Sequence, residues 1–191
     1  MHVALKSLAA IAVGVAFGLL ITWATVVRSA GMGGEVTDGA WHTSLLAGSA
    51  ESGPYLRAVI ALHGLLALNR SETIYYSATH DDARNALDGA CVYRITGRDP
   101  PARWWSITAY GADDFLITNP AGRYSVSQNS IRRRADGSFV VLARKNADAA
   151  NQIALGAGAF TLTLRLYNPS AAVAADPAHV ALPDIEKVSC T

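Results

Sequence analysis

Apolar positions follow two rhythms along this chain. The run Leu8–Val27 reads LAAIAVGVAFGLLITWATVV, twenty residues without a charge, set between Lys6 and Arg28. As a helix it spans about 30 Å, the hydrocarbon thickness of a bilayer, and Trp23 suits an interfacial position near its end. From Ser29 to Gly53 the chain is rich in Gly, Ser and Ala, which predicts a tether with one short helix near Trp41–Ala47. Ser52 is then placed to cap a helix with Pro54 at its first position. Leu56, Val59, Ile60, His63 and Leu66 recur at three- and four-residue intervals, predicting about four amphipathic turns up to Asn69.

After Arg70 the period shortens to two. Strands are expected at Thr73–Thr79, Cys91–Thr96, Arg103–Tyr110, Phe115–Thr118, Tyr124–Gln128, Ser138–Arg144, Ala159–Tyr167 and Ile185–Cys190. In the clearest, Phe160, Leu162, Leu164 and Leu166 alternate with Thr161, Thr163, Arg165 and Tyr167, as in a strand with one buried and one wet face. Turn residues separate the strands, and Asp136-Gly137 is the strongest hairpin signal. The stretch Asn146–Gly158 reads equally as a short helix or an irregular crossover. The expected layout is a cytoplasmic segment 1–7, a transmembrane helix 8–27, a tether 28–53 and a mainly β domain 54–191, a sandwich preceded by one amphipathic helix.

With 191 residues, 51% of them hydrophobic, the chain supports one domain with a proper core. Its formal charge of +1 argues against nucleic acid as a partner. The apolar run has two readings, a retained anchor or a cleavable secretory signal. Arg28-Ser29-Ala30 is a poor cleavage site, and Thr22-Trp23-Ala24 would cut inside the apolar run, so the anchor is favoured. Lys6 and the α-amino group precede the run and Arg28 follows it, which points the amino end into the cytoplasm. In a bacterial inner membrane that leaves a single-pass protein with its C-terminal domain in the periplasm. Gly14 and Gly18 have the small-xxx-small spacing that lets membrane helices dimerise, so homo-oligomerisation is one expectation.

The chain carries no G-x-S-x-G elbow, zinc helix, EF-type calcium loop, P-loop or dinucleotide fingerprint, and neither a cofactor nor a metal is expected. His80-Asp81-Asp82 and Asp113-Asp114 read as solvated turns rather than cation ligands. Arg132-Arg133-Arg134 reads as a strand edge guarded by charge, with lipid or phosphate contact as the alternative. His63 falls on an apolar stripe and reads as a core imidazole. On Arg103–Tyr110, alternation places Trp105, Ile107 and Ala109 inward and Trp104, Ser106, Thr108 and Tyr110 outward. With Arg123, Tyr124, Arg165 and Tyr167 nearby, the outward set is a candidate cleft for a sugar, carboxylate or polar lipid. The favoured reading of these side chains is packing beneath loops or the preceding helix, because aromatic residues pair across strands in ordinary sandwiches. Cys91 and Cys190 are either a disulfide or two inert thiols.

Several motifs carry a family resemblance. Leu87-Asp88-Gly89, then Pro100-Pro101 through Trp105-Ser106-Ile107-Thr108-Ala109-Tyr110, then Asn119-Pro120 with Arg123-Tyr124-Ser125, then Asp136-Gly137-Ser138, and finally Phe160–Pro169 ending LRLYNP stand in the order that resembles the DUF1214 domain family. The match covers about Glu72–Val188. The resemblance implies a jelly-roll-like β-sandwich, commonly the C-terminal part of proteins that also carry a DUF1254 domain, for which this chain is too short. It looks like a short, membrane-anchored form. Where an N-x-L-P-A-P type segment is expected, Asn151–Gly156 stands instead, without its prolines. The function expected is a non-catalytic module binding an envelope protein or glycan, held to the bilayer by its helix. The rival is a hydrolase or lyase acting on a carbohydrate or small carboxylate, with Asp88 or Asp113 carrying the proton.

Overall fold

A computed structural model describes residues 2–26, 34–62 and 67–190. Helix α1 runs His2–Val26, and its Ala4–Val26 portion is long and apolar enough to cross a membrane. It begins six residues ahead of the apolar run, because neither Lys6 nor Ser7 breaks a helix and a lysine stem can lie along apolar surface.

Where a tether with a short helix was expected, the chain forms a hairpin of β1 (Glu35–Asp38) and β2 (Trp41–Ser44). The turn between them is Gly39-Ala40, with Gly39 at φ +57°. Trp41 is only 1% exposed and its indole N–H donates to the Pro183 carbonyl at 2.6 Å. Burying that ring against a distant segment outweighs the local preference of a Gly/Ser-rich stretch for irregular chain. Helix α2 spans Pro54–Leu62 and turns Val59 and Ile60 inward. The Ser52 hydroxyl does not cap it but donates to the Leu46 carbonyl, and the Gly53 carbonyl accepts the first helical bond from the Arg57 N–H at 3.1 Å. His63, Leu66 and Arg28 lie outside the described residues.

The remaining strands are β3 (Thr73–Ala78), β4 (Cys91–Gly97), β5 (Ala102–Gly111), β6 (Ser125–Ser127), β7 (Phe139–Arg144), β8 (Gln152–Ala154), β9 (Phe160–Pro169) and β10 (Asp184–Cys190); a short helix α3 (Ala171–Ala175) follows β9. Among the described residues they form a six-stranded sheet, β1-β2-β3-β9-β5-β6, and a four-stranded sheet, β10-β4-β7-β8. Pairing is antiparallel except between β7 and β8. The two inner faces share one core in which Trp105, Ile107, Leu162, Leu164 and Leu166 meet Tyr93, Ile95, Phe139, Val141 and Ile185. Trp105 stacks on Phe139 with ring centroids 5.0 Å apart. The mainly β sandwich read from the alternation is therefore the observed architecture.

Two expectations about elements change. Phe115–Thr118 makes only an isolated bridge, Tyr110 to Leu116, and Phe115 is 73% exposed. A tight turn carries this segment back over the end of β5, with the Gly111 N–H donating to the Phe115 carbonyl at 2.9 Å, and its pairing with β5 stops at that single bridge. The ambiguous Asn146–Gly158 stretch holds β8, whose Ile153 and Ala154 are buried.

The family motifs have visible structural causes. A Cβ on Gly89 would stand 1.8 Å from the Gly156 carbonyl oxygen, so only glycine fits there. The Asn119 side chain closes the 119–123 loop by accepting from the Arg123 N–H and donating to the Arg123 carbonyl. Asp136 accepts from both the N–H and the hydroxyl of Ser138, beside Gly137 at φ +80°. Asp99, just before the two prolines, accepts from the Trp105 indole at 3.1 Å and from the Arg133 guanidinium. Arg133 is thus committed to an ion pair and is not merely a guarding charge.

Cys91 and Cys190, opposite each other on β4 and β10, are joined in a disulfide. Asp82 supplies a second tie, its carboxylate accepting from the Ala40 N–H at 3.1 Å and the Ile185 N–H at 2.6 Å. It therefore links the β1–β2 hairpin to β10, while Asp81 is wholly buried and accepts from the backbone and side chain of Asn85. The expected solvated turn is instead a structural joint, because both carboxylates are occupied by N–H donors.

Removing the disulfide by Cys91→Ser with Cys190→Ser should lower unfolding free energy by up to about 4.7 kcal/mol, the chain-entropy figure for a loop near 100 residues, read from urea unfolding. Asp82→Ala should cost about 1–3 kcal/mol. Its hydrogen exchange should quicken at Ala40 and Ile185 together; acceleration at one alone would contradict the joint.

Candidate functional site

Pairing across the six-stranded sheet writes out its outer face in rows. One row is His42, Ser77, Thr163, Thr108 and Ser125; the next is Tyr75, Arg165, Ser106 and Ser127; a third is Thr73, Tyr167 and Trp104. The outward sets predicted for β5 and β9 thus lie side by side. The face is not simply wet, however. Ser106 and Thr108 are each only 6% exposed, and Thr73 and Thr163 are also buried. A cleft of about 540 Å³, counted with its open mouth, lies over part of this face, lined by Ile60 of α2 and by Ala47, Ala67 and Arg70 outside it together with His42, Tyr75, Ser77 and Thr163.

Arg165 is the charge in the middle of this face. Its guanidinium donates to the Tyr110 hydroxyl at 2.6 Å and to Thr108 Oγ1 at 3.3 Å. It also lies 5.3 Å from the Tyr110 ring centroid and 5.9 Å from that of Tyr75. Ring faces and hydroxyl oxygens stabilise the cation without neutralising it. A guanidinium has five N–H donors, so two bonds leave three for water or a ligand. Burial, then the neighbouring Tyr167 phenol, raises the pKa of Tyr75, with the Arg165 charge opposing both. One row further along, Trp104 and Tyr167 pair with ring centroids 5.2 Å apart, and the Trp104 indole N–H is held by Asn129 Oδ1 at 2.9 Å.

The structure gathers Trp104, Ser106, Thr108, Tyr110, Arg165 and Tyr167 on one face and leaves Arg123 and Tyr124 apart from them. The Arg123 guanidinium donates to the Ala149 carbonyl. Tyr124 stands just before β6 with the strand parity of the core residue Val126, not of the outward Ser125 and Ser127. The two acids considered as proton carriers are each engaged in their own turns, Asp88 with the Ala90 N–H and Asp113 with the Phe115 N–H. Among the described residues, no group of three or more His, Cys, Asp or Glu is arranged to hold a metal ion.

His42 and Tyr75 were not foreseen as part of this face. Alternation on Thr73–Ala78 would have turned Tyr75 outward with Ser77, but His42 needed the hairpin. Its only sequence signal is the Asp38-Gly39 turn dipeptide followed by alternating Trp41 and Thr43.

A model of the family described as "Protein of unknown function (DUF1214)" matches residues 72–171, the stretch holding β3 through β9 and with it most of this face. The chain belongs to the DUF1214 family. No curated protein matches it significantly. A crystal structure of the VPA0106 protein from Vibrio parahaemolyticus aligns with 73% of this chain at 23% identity and a TM-score of 0.62. A putative uncharacterized protein from Burkholderia cenocepacia aligns with 90% of the chain at 17% identity and a TM-score of 0.44. This chain spans 36% of the Vibrio protein and 39% of the Burkholderia one. The Vibrio likeness shows that this DUF1214 fold recurs within a longer protein.

Burial holds the His42 pKa below its ordinary value of 6.5, His80 acting in the same direction and Glu35 against it. The folded state therefore binds a proton less readily than the unfolded chain. The stability gained from neutral His42 is present above pH 6.5 and is lost as pH falls through the depressed value. Thermal midpoints of His42→Gln should accordingly fall less between pH 7 and pH 5 than those of the unaltered protein. Parallel curves for the two would contradict this.

Proposed function

We propose that this DUF1214 protein is a membrane-anchored, non-catalytic binding module that presents its sandwich on the periplasmic side of a bacterial inner membrane and takes a carboxylate-bearing glycan of the envelope. The observation that carries the reading is Arg165, a half-buried guanidinium on the sheet face whose hydrogen-bond partners are hydroxyls. A carboxylate on such a cation replaces water with charge-assisted bonds of bidentate geometry. One row away, Trp104 and Tyr167 offer the aromatic surface on which a sugar ring stacks. Ser106, Thr108, Tyr110, Arg165 and Tyr167 all fall within the two strand motifs by which the chain resembles its family.

Binding is tested by calorimetry on the full chain in detergent, with N-acetylmuramic acid as the carboxylated sugar and N-acetylglucosamine as its counterpart lacking the carboxylate. Saturable binding of the first and a much weaker response to the second are expected. Arg165→Met should weaken binding of the acid by at least about tenfold, the worth of one charge-assisted interaction. Arg165→Lys should recover part of it. Equal affinity for the two sugars, or an unchanged affinity in Arg165→Met, would sink the reading.

A further inference from the structure

Outside α1, the largest apolar exposures on a described helix are Tyr55 at 56% and Leu62 at 65%, both on α2. They stand seven residues apart, two helical turns, and so lie on one side of α2 at its two ends, flanking the buried Val59 between them, with Ile60 buried further round the helix. Leu68, just beyond, is also exposed. A two-turn helix has no local reason to keep a tyrosine and a leucine in water, and the chain around it indicates what covers them.

Among residues 4–26 of α1, Val26 alone is partly covered. Backbone atoms of α1 and α2 approach within 8 Å, so the body meets the apolar helix at the end where that helix leaves the hydrocarbon. Eight residue steps separate Val26 from Gly34, and fully extended they reach at most about 28 Å. The sandwich therefore cannot move far from the bilayer, and the element that touches the anchor is the one that carries exposed apolar residues at both ends.

We propose that α2 lies along the surface of the bilayer that holds α1, with Tyr55 and Leu62 among the lipid headgroups and upper acyl chains. Tyrosine suits this depth because its ring is apolar and its hydroxyl stays hydrated. Arg57 does not oppose the contact: its guanidinium donates to the Ser52 and Ala50 carbonyls and is held on the body. In this pose the cleft that Ile60 lines with His42, Tyr75 and Thr163 of the six-stranded sheet lies near the membrane surface. The inference stands on α1 and α2 and is independent of the ligand assigned to Arg165.

Both native cysteines are in the disulfide, so a single introduced cysteine can be labelled alone. The full chain in phosphatidylcholine–phosphatidylglycerol vesicles is labelled with an environment-sensitive fluorophore at Leu62→Cys. Leu19→Cys on α1 and Glu186→Cys on the opposite sheet serve as references. Expected are blue-shifted emission at position 62, quenching by nitroxide-bearing lipid several-fold stronger than at 186, and weak quenching by iodide. Labels at 19 in lipid and at 62 in water would overturn the proposal. A label at 19 in water would overturn the anchor and the proposal with it. Quenching at 62 that appears only as protein density rises would assign the patch to a second copy of the chain and likewise overturn it. Tyr55→Ser tests the same contact without a label at 62: the body should become more accessible to protease added to intact vesicles, and unchanged digestion would count against it.

Discussion

Strand β9 is the element on which both the core and the candidate site depend, because it is paired along its length with β3 on one side and β5 on the other. A strand held at both edges cannot slip without turning every side chain over. Leu162, Leu164 and Leu166 are consequently buried without exposure, and Thr163, Arg165 and Tyr167 are fixed on the reverse side. The burial of three leucines, each worth about 1.5–3 kcal/mol, thereby sets where a guanidinium stands among hydroxyls and rings. Hydrophobic packing provides the positional accuracy; the polar side contributes chemistry.

Where alternation was strong, the chain's architecture could be read from it directly. Phe160 to Tyr167 alternates so cleanly that the strand and the identity of its two faces follow from side-chain period alone, and β5 behaves likewise, whereas their pairing with each other does not. Reading failed where a local pattern was subordinate to distant contact. Trp41 sits in a Gly/Ser-rich stretch that has no preference for strand; its partner is Pro183, more than a hundred residues later. Leu116 meets only the turn-ward end of β5, in a single bridge to Tyr110, so Phe115–Thr118 remains a loop despite its three apolar residues.

Most of the face around Arg165 was legible for the same reason that β5 and β9 were: residues two apart share a side. Arg123 and Tyr124 were expected beside it, yet sequence neighbours do not share a direction, and the Asn119 loop turns Arg123 toward Ala149. The degree of cover over Ser106 and Thr108 was not legible at all, since no period reports what lies above a sheet.

The disulfide has a bearing on how the molecule comes into being. Its two cysteines are 99 residues apart, and everything from β5 through α3 lies in the interval. A ribosome delivering the chain in order must release nearly a hundred further residues after the first thiol emerges before that thiol meets its mate. Throughout that interval the nascent body has an unoxidised sulfur and an unfilled place beside β4. Maturation is thus timed by the arrival of β10, and a chain arrested shortly before it would remain unlocked however well its leucines had already packed.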